Sequence, residues 1–228
     1  NGAGKSTLFN AILGKFRLDR GKIVLGGADI TRQKDYQRAL NIGCLYQDPM
    51  RGTAPHMTIE ENLALAYTRK ASRSFFAVNR RDSAYFRELL SSLNLGLEDR
   101  MGAQMGLLSG GQRQAAALLM ATIAEPQLLL LDEHTAALDP GTAQKVLALT
   151  RKLVEEKHLT CLMITHNMQA ALQMGNRTIV MDRGKIALDI AGEARQKLSV
   201  TDLLQRFQAM SGHDLDDDRI LLSQSKQG

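Results

Sequence analysis

The chain opens with Asn1-Gly2-Ala3-Gly4-Lys5-Ser6-Thr7, the latter part of a glycine-rich loop whose full pattern is G-x-x-x-x-G-K-[ST]. The leading glycine of that pattern would lie two residues upstream, so we expect the chain to begin inside the motif. Gly2 and Gly4 allow backbone N–H groups to turn toward phosphate oxygens, at the positive end of the helix that starts near Lys5. Lys5 would reach the outer phosphates, and the Ser6 hydroxyl suits Mg²⁺. A glycine-rich turn before a helix is the alternative, which the register of the Gly-Lys-Ser-Thr run disfavours.

A second candidate site follows the apolar run Gln127 to Leu131, which is bounded by Pro126 and by the acids Asp132 and Glu133. The run is too short for a helix and indicates a buried strand. Ligands bind at the carboxyl ends of the strands in open α/β sheets, so both carboxylates would lie at that edge. Asp132 would hold the metal through water, and Glu133 could polarise the attacking water as a general base. An acidic strand end in solvent is the alternative, which the presence of Lys5 disfavours.

Helical and strand patterns alternate along the chain, and this alternation predicts an α/β fold with a mainly parallel sheet. One helical face is formed by Phe86, Leu89, Leu90 and Leu93. A hairpin turn is expected at Asp182-Arg183-Gly184. Further helices are expected over Lys5–Lys15, Thr58–Arg69, Gly110–Ile123, from Pro140, and over Val200–Met210, and strands over Lys22–Leu25, Asn41–Tyr46, Thr160–Ile164, Thr178–Met181 and Lys185–Leu188.

The middle of the chain shows helical patterns only. Because no strand pattern lies between Ala54 and Glu125, we expect an all-helical subdomain inserted into a P-loop NTPase (RecA-like) core. The predicted organisation is a single domain over residues 1–228. Its core would comprise residues 1–53 and 126–210, its helical subdomain about residues 54–125, and its tail residues 211–228.

Composition is that of an ordinary soluble globular protein, with 228 residues, 44% apolar residues and a formal net charge of +5. This mild charge favours a solvated surface over a nucleic-acid partner. Cys44 and Cys161 lie in apolar runs and indicate small core residues, with no disulfide framework or zinc site. No apolar stretch approaches the roughly 20 residues needed to span a bilayer.

The run Leu108-Ser109-Gly110-Gly111-Gln112 resembles the signature motif of the ABC ATPase family. Other family motifs occur in family order around it: Gln47 resembles the Q-loop glutamine, Leu138-Asp139 resembles the D-loop, and His166 after Ile164-Thr165 resembles the switch histidine. The resemblance runs from the first residue to about Leu188.

The resemblance implies two composite nucleotide sites. Ser109, Gly110 and Gly111 precede a helix and would form a second anion-binding N-terminus, which in the family binds the γ-phosphate held by the other subunit. Two chains would therefore complete two ATP sites, head to tail, in a twofold dimer.

Roles at the site follow from the same resemblance. Glu133, His166 and Gln47 are implied as catalytic, with His166 donating to the γ-phosphate and orienting Glu133 and the water. The implied metal ligands are Ser6, Gln47 and Asp132. The implied nucleotide-binding residues are Asn1, Gly2, Ala3, Gly4, Lys5, Ser6, Thr7, Gln47, Ser109, Gly110, Gly111, Gln112 and Asp139.

Two features depart from the family pattern. His134 occupies a position that is proline in many members, although it flanks the chemistry without performing it. The aromatic residue that stacks on adenine in the family would lie upstream of this sequence, with an early core strand, so we expect the chain to fold poorly by itself.

The resulting prediction is an ATP- and Mg²⁺-dependent ATPase subunit that powers an ABC transporter from the cytoplasmic face of the inner membrane. Expected partners are a second ATPase subunit (a homodimer), integral membrane permease subunits and a solute-binding protein, with no nucleic acid. The run Asp132 to Pro140 resembles a bacterial importer subgroup for small solutes such as amino acids. The alternatives are a non-transport ABC ATPase, acting in DNA repair, on ribosomes or in cofactor assembly, and a nucleotide-binding scaffold without catalysis.

Overall fold

The computed structural model describes residues 2–69 and 80–211 of the chain, so Asn1, residues 70–79 and the predicted tail from residue 212 lie outside the described residues. The described residues divide into two compact units, one within Asn10–Met163 and the other within Asn1–Phe9 and Ile164–Gly228. The described elements, in chain order, are α1 (Lys5–Leu13), β1 (Val24–Leu25), β2 (Ala28–Asp29), α2 (Asp35–Arg38), β3 (Ile42–Leu45), α3 (Ile59–Tyr67), α4 (Arg80–Ser91), α5 (Gly110–Thr122), β4 (Leu128–Asp132), α6 (Pro140–Glu156), β5 (Thr160–Ile164), α7 (Met168–Gln173), β6 (Arg177–Asp182), β7 (Lys185–Ala191), α8 (Gly192–Gln196) and α9 (Val200–Ser211).

A three-stranded sheet with the order β3-β4-β5 organises the first unit. β3 and β4 are parallel, with Ile42 paired to Leu128 and Leu45 paired to Leu131. Leu129, Leu130 and Leu131 of β4 are buried, as expected for a parallel strand covered on both faces. The α/β fold with a parallel sheet is therefore confirmed.

Helix α5 packs closely against this sheet. A side chain added at Gly43 of β3 would lie 2.3 Å from the carbonyl oxygen of Ala121, so only glycine allows the approach. Leu118 of α5 joins Leu129 and Leu131 in one buried apolar cluster. Each such leucine contributes roughly 1.5–3 kcal/mol of burial free energy.

The described parts of the middle segment, residues 54–69 and 80–125, contain helices and no strand, as predicted. An isolated antiparallel bridge joins Thr58 to Gln104. Phe86 and Leu90 of α4 pack with Leu63 of α3 and Leu119 of α5 in a second buried cluster. The assignment of this segment as a separate subdomain stays a prediction.

A small hairpin was missed in the sequence. The predicted strand Lys22–Leu25 is reduced to β1, which pairs antiparallel with β2 through Val24 and Asp29. The two glycines between them, Gly26 and Gly27, have φ values of 55° and 82°, the left-handed geometry of a tight two-residue turn.

The second unit contains the predicted β6–β7 hairpin. Its strands are antiparallel, and Asp182 pairs with Lys185 around a turn in which Arg183 and Gly184 have φ values of 46° and 77°. The short helices α7 and α8 were not predicted.

Among the described residues, no helix combines the length and apolar character that crossing a bilayer requires.

Candidate functional site

The glycine-rich loop has the backbone geometry that its sequence predicts. Gly2 and Gly4 have φ values of 82° and 91°, and α1 begins directly at Lys5. The Gly184 N–H donates to the Ala3 carbonyl at 3.0 Å, and a side chain at Gly4 would lie 3.1 Å from the Gly184 Cα. The loop thus needs glycine both for its turn and for the close approach of the β6–β7 hairpin.

Gln47 and the acid pair follow neighbouring parallel strands. Because Leu45 is paired with Leu131, the residues beyond these two leave the sheet at the same edge. Asp132 ends β4, and Gln47 lies two residues after β3, where it is exposed. The segments that carry Gln47 and the acids Asp132 and Glu133 therefore leave the sheet at the same edge.

Glu133 marks a sharp change in chain direction. Its φ is 46°, in the left-handed region that is uncommon for residues other than glycine. Its carbonyl accepts the Ala136 N–H at 2.9 Å. The turn therefore begins at Glu133 itself, directly after the buried strand.

The neighbour of Glu133, His134, has a structural partner that the sequence did not reveal. Its side chain is buried, and its Nε2 lies 3.1 Å from the Thr150 Oγ1. The Thr150 hydroxyl donates to the Val146 carbonyl at 2.8 Å, so it accepts from an Nε2–H of His134. Burial lowers the pKa of His134 to about 4, so the imidazole is neutral at pH 7.

The signature segment forms a complete helix cap. The Ser109 Oγ accepts the Gln112 N–H at 3.3 Å, and the Gln112 Oε1 accepts the Ser109 N–H at 3.3 Å. The Gln112 Nε2 also donates to the Leu95 carbonyl at 3.3 Å. Ser109 and Gly110 are exposed at this helix N-terminus, so they remain accessible to an anion.

Arg113 holds the turn that leads into the signature helix. Its Nη2 donates to the carbonyls of Gly106 and Leu108, each at 2.8 Å, and its Nε donates to the Met105 carbonyl at 3.3 Å. The sequence prediction did not include this residue. In the sequence, Arg113 is only an arginine in the first turn of a predicted helix, and this pattern does not indicate its contacts with the preceding loop.

The signature helix contacts the beginning of α6. A side chain added at Gly111 would lie 2.3 Å from the Thr142 Cγ2, and one at Gly110 would lie 3.5 Å from the Leu138 Cδ2. Asp139 caps α6 by accepting the Thr142 N–H at 3.0 Å, and its hydrogen bonds to Thr142 lower the pKa of its carboxyl group. The predicted signature and D-loop motifs therefore lie side by side.

His166 lies two residues beyond β5 and is partly buried. The Thr165 Oγ1 accepts the Asn167 N–H at 3.0 Å, and the Asn167 Oδ1 caps α7 through the Ala170 N–H at 2.9 Å. These two side-chain caps fix the backbone on both sides of His166.

Each unit thus holds part of the predicted site. Gln47, Asp132, Glu133, Asp139 and the signature residues belong to Asn10–Met163, whereas the described loop residues and His166 belong to the other unit. The donors offered at the sheet edge are carboxylate and amide oxygens, which suit Mg²⁺. Within residues 2–69 and 80–211, no group of three or more His, Cys, Asp and Glu side chains could hold a metal ion by itself.

Comparisons with known proteins agree with this geometry. The family model described as "ABC transporter" matches residues 1–136. A tyrosine transport ATP-binding protein of Clostridioides difficile (strain R20291) is 41% identical over 208 residues, which cover 91% of this chain and 83% of that protein. A thiamine import ATP-binding protein of Jannaschia sp. (strain CCS1) is 33% identical, with 83% of this chain and 78% of that protein covered.

A solved structure is similar over most of the chain. It is a dimeric post-hydrolysis state of an ATP-binding cassette bound to ADP and Pi, with a TM-score of 0.69, 28% identity, and coverage of 83% of this chain and 81% of that chain. Sequence and structure therefore agree, and the chain belongs to the ABC transporter family as one of its ATP-binding domains.

Proposed function

We propose that this chain is the ATP-hydrolysing subunit of an ABC importer. The observation that supports the proposal is the parallel register of β3 and β4, in which Leu45 pairs with Leu131, two residues before Gln47 and Glu133 respectively. Family membership supplies the activity, the hydrolysis of ATP to ADP and phosphate.

In the proposed reaction, the loop from Asn1 to Thr7 cradles the phosphates and Lys5 neutralises their charge. Ser6, Gln47 and Asp132 would hold Mg²⁺, which neutralises charge on the β- and γ-phosphates. Glu133 accepts a proton from a water molecule as that water attacks the γ-phosphorus, and the bond from phosphorus to the bridging oxygen of ADP breaks. His166 donates to a γ-phosphate oxygen.

The proposed output is motion between two such domains. Ser109, Gly110 and Gly111, with Gln112 and Asp139 nearby, would meet the γ-phosphate bound by the other subunit. Driving a closed–open equilibrium almost completely to one side requires about 5.5 kcal/mol of differential binding. Each of the two sandwiched γ-phosphates would accept several charge-assisted hydrogen bonds. Each such bond contributes about 1.5–3 kcal/mol, so together the bonds can provide this difference in binding free energy.

Transport across a bilayer also requires membrane-spanning partners. We propose that integral membrane permease subunits dock on the chain beside Gln47, at the cytoplasmic face of the inner membrane, and that a solute-binding protein delivers the cargo. The relatives named for tyrosine transport and thiamine import favour an importer over a DNA-repair, ribosome or cofactor-assembly factor. The tyrosine relative favours an amino acid as the cargo.

The decisive experiment is the exchange Glu133→Gln, which keeps the size of the side chain and removes its basicity. We expect phosphate release to fall by at least about a hundredfold while ATP binding is retained and ATP-bound dimers accumulate. Glu155→Gln, an exposed residue on α6, is the matched control and should hydrolyse ATP like the wild type. Normal ATP turnover by the Glu133→Gln variant would show that Glu133 is not the general base.

A further inference from the structure

Glu133, the proposed general base, lies at the start of a turn whose backbone is strained. Its φ of 46° is in the left-handed region, which a residue with a side chain occupies at a free-energy cost. Such a conformation persists when the surrounding structure fixes it. The hydrogen bond from the Ala136 N–H to the Glu133 carbonyl shapes the turn locally. Because that bond joins residues close in sequence, a contact with another element is needed to fix the turn against the rest of the first unit.

His134 supplies such a contact. Its side chain is buried, and its Nε2 lies 3.1 Å from the Thr150 Oγ1 of α6. The Thr150 hydroxyl donates its proton to the Val146 carbonyl at 2.8 Å, so its oxygen accepts from the imidazole. A hydrogen bond away from water has no solvent to replace it, so it holds the turn and the helix at a fixed separation.

The helix that accepts this bond is itself fixed against β4. The buried residues of α6 are Val146, Thr150 and Leu153, which lie on one face of the helix. Leu153 packs in the same apolar cluster as Leu129 and Leu131 of β4. The strand, the turn after it and α6 therefore form a closed connection, in which the imidazole joins the turn to the helix.

We propose that His134 is a positioning residue for Glu133, and that its hydrogen bond to Thr150 keeps the turn in place while ATP is hydrolysed. The proposal rests on the proposed function, which assigns proton abstraction to Glu133. The two residues are adjacent, so a shift of the His134 backbone moves the Glu133 backbone with it. A misplacement of about 1 Å can lower the rate of a reaction that depends on positioning about a hundredfold.

The proposal specifies which kinetic parameter depends on the contact. Neither His134 nor Thr150 is among the residues proposed to bind nucleotide, so loss of their hydrogen bond should lower kcat and leave the KM for ATP unchanged. A contact that only stabilised the fold would act differently. Its loss would lower the fraction of folded protein and leave the kcat of each folded molecule as it was.

The first test removes the acceptor and the donor in turn. Thr150→Val keeps the shape of the side chain without its oxygen, and we expect kcat for phosphate release per folded molecule to fall about tenfold or more. His134→Leu should give a similar loss. His134→Gln places an N–H near the position of the imidazole Nε2 and should retain most of the activity. Wild-type kcat in both Thr150→Val and His134→Leu would overturn the proposal.

A matched control separates positioning from stability. Thr122 of α5 is also buried, and its hydroxyl donates to the Leu118 carbonyl at 3.0 Å, four residues back, as Thr150 donates to Val146. Thr122→Val removes the same kind of bond at the end of α5 remote from Ser109. We expect it to lower the urea midpoint of unfolding and to leave kcat unchanged. An equal loss of kcat in Thr122→Val and Thr150→Val would overturn the proposal.

The second test asks whether the contact acts through Glu133. In the Glu133→Gln background the group to be positioned is absent, so adding Thr150→Val should change the residual single-turnover rate by less than about twofold. A further tenfold loss would show that the contact acts through another group and would contradict the proposal.

These measurements also separate the proposal from the function on which it rests. Absence of phosphate release by the wild type would refute the proposed function, and the positioning role with it. Normal release by the wild type together with unaltered kcat in Thr150→Val and His134→Leu would refute the positioning role alone.

Discussion

The imidazole Nε2 of His134 lies 3.1 Å from the Thr150 Oγ1 and joins the turn after Glu133 to the middle of α6. Both side chains are buried, with 2% and 1% of their surface exposed. The interaction is directional, because the Thr150 hydroxyl proton is already donated to the Val146 carbonyl. The position therefore holds a buried polar connection that proline could not provide.

Removal of this connection is expected to destabilise the protein. His134→Ala creates a cavity and leaves the Thr150 oxygen with one partner fewer, so the free energy of unfolding should fall by about 2–4 kcal/mol in urea denaturation. Thr150→Ala and the double variant complete a mutant cycle. We expect a coupling free energy of about 1 kcal/mol, and strictly additive effects would show that the two side chains do not interact.

The contact between Gly111 and α6 predicts a suppressor. Gly111→Ala places a methyl group 2.3 Å from the Thr142 Cγ2, and we expect it to lower the unfolding free energy by about 1–3 kcal/mol. Thr142→Ser removes that Cγ2 and should restore most of the loss. Gly110→Ala is the matched control, because its new methyl group would lie at an ordinary 3.5 Å from Leu138. Failure of the serine exchange to rescue the alanine variant would exclude this clash as the cause.

Local motifs were predictable because the physics behind them is local. The glycine conformations at Gly2 and Gly4, the Ser109 cap and the Asp139 cap each depend on residues within a few positions in sequence. The edge that joins Gln47 to Asp132 was also predictable, since parallel strands share their carboxyl ends. These residues account for much of the candidate site.

Features that depend on tertiary packing could not be predicted. Nothing in the sequence around His134 indicates Thr150, which is 16 residues away on another element. The Arg113 and Arg38 side chains resemble ordinary surface cations in the sequence, whereas their donors are used on backbone carbonyls. The Nε and Nη2 of Arg69 are buried without a hydrogen-bond partner among the described residues, and no local sequence pattern indicates this burial.

Arg38 is predicted to be a major structural anchor. It is buried, and its guanidinium donates to the carbonyls of Ala11, Ile12 and Thr31, each at 2.8 Å, and to that of Gln33 at 3.1 Å. Arg38→Met should lower the unfolding free energy by about 3 kcal/mol, because these carbonyls at the end of α1 lose their donors. Arg32→Met, at an exposed neighbouring position, should change it by less than about 0.5 kcal/mol in the same urea titration. Similar losses in both variants would contradict the anchoring role.

The two cysteines predict a distinct pH dependence of thiol labelling. Burial raises the pKa of the Cys44 thiol from 9.0 to about 11 and that of Cys161 from 9.0 to about 12. Because only the thiolate reacts, the folded protein at pH 8 should react about a hundredfold more slowly at Cys44, and about a thousandfold more slowly at Cys161, than the unfolded chain. Labelling of the folded protein should accelerate as the pH rises toward 11, whereas the unfolded chain should reach its maximum rate above about pH 9.

Cys44→Ala and Cys161→Ala separate the two sites in a stopped-flow disulfide-exchange assay. Equal rates for folded and unfolded protein at pH 8 would show that neither thiol is held in the buried environment that the structure assigns to it.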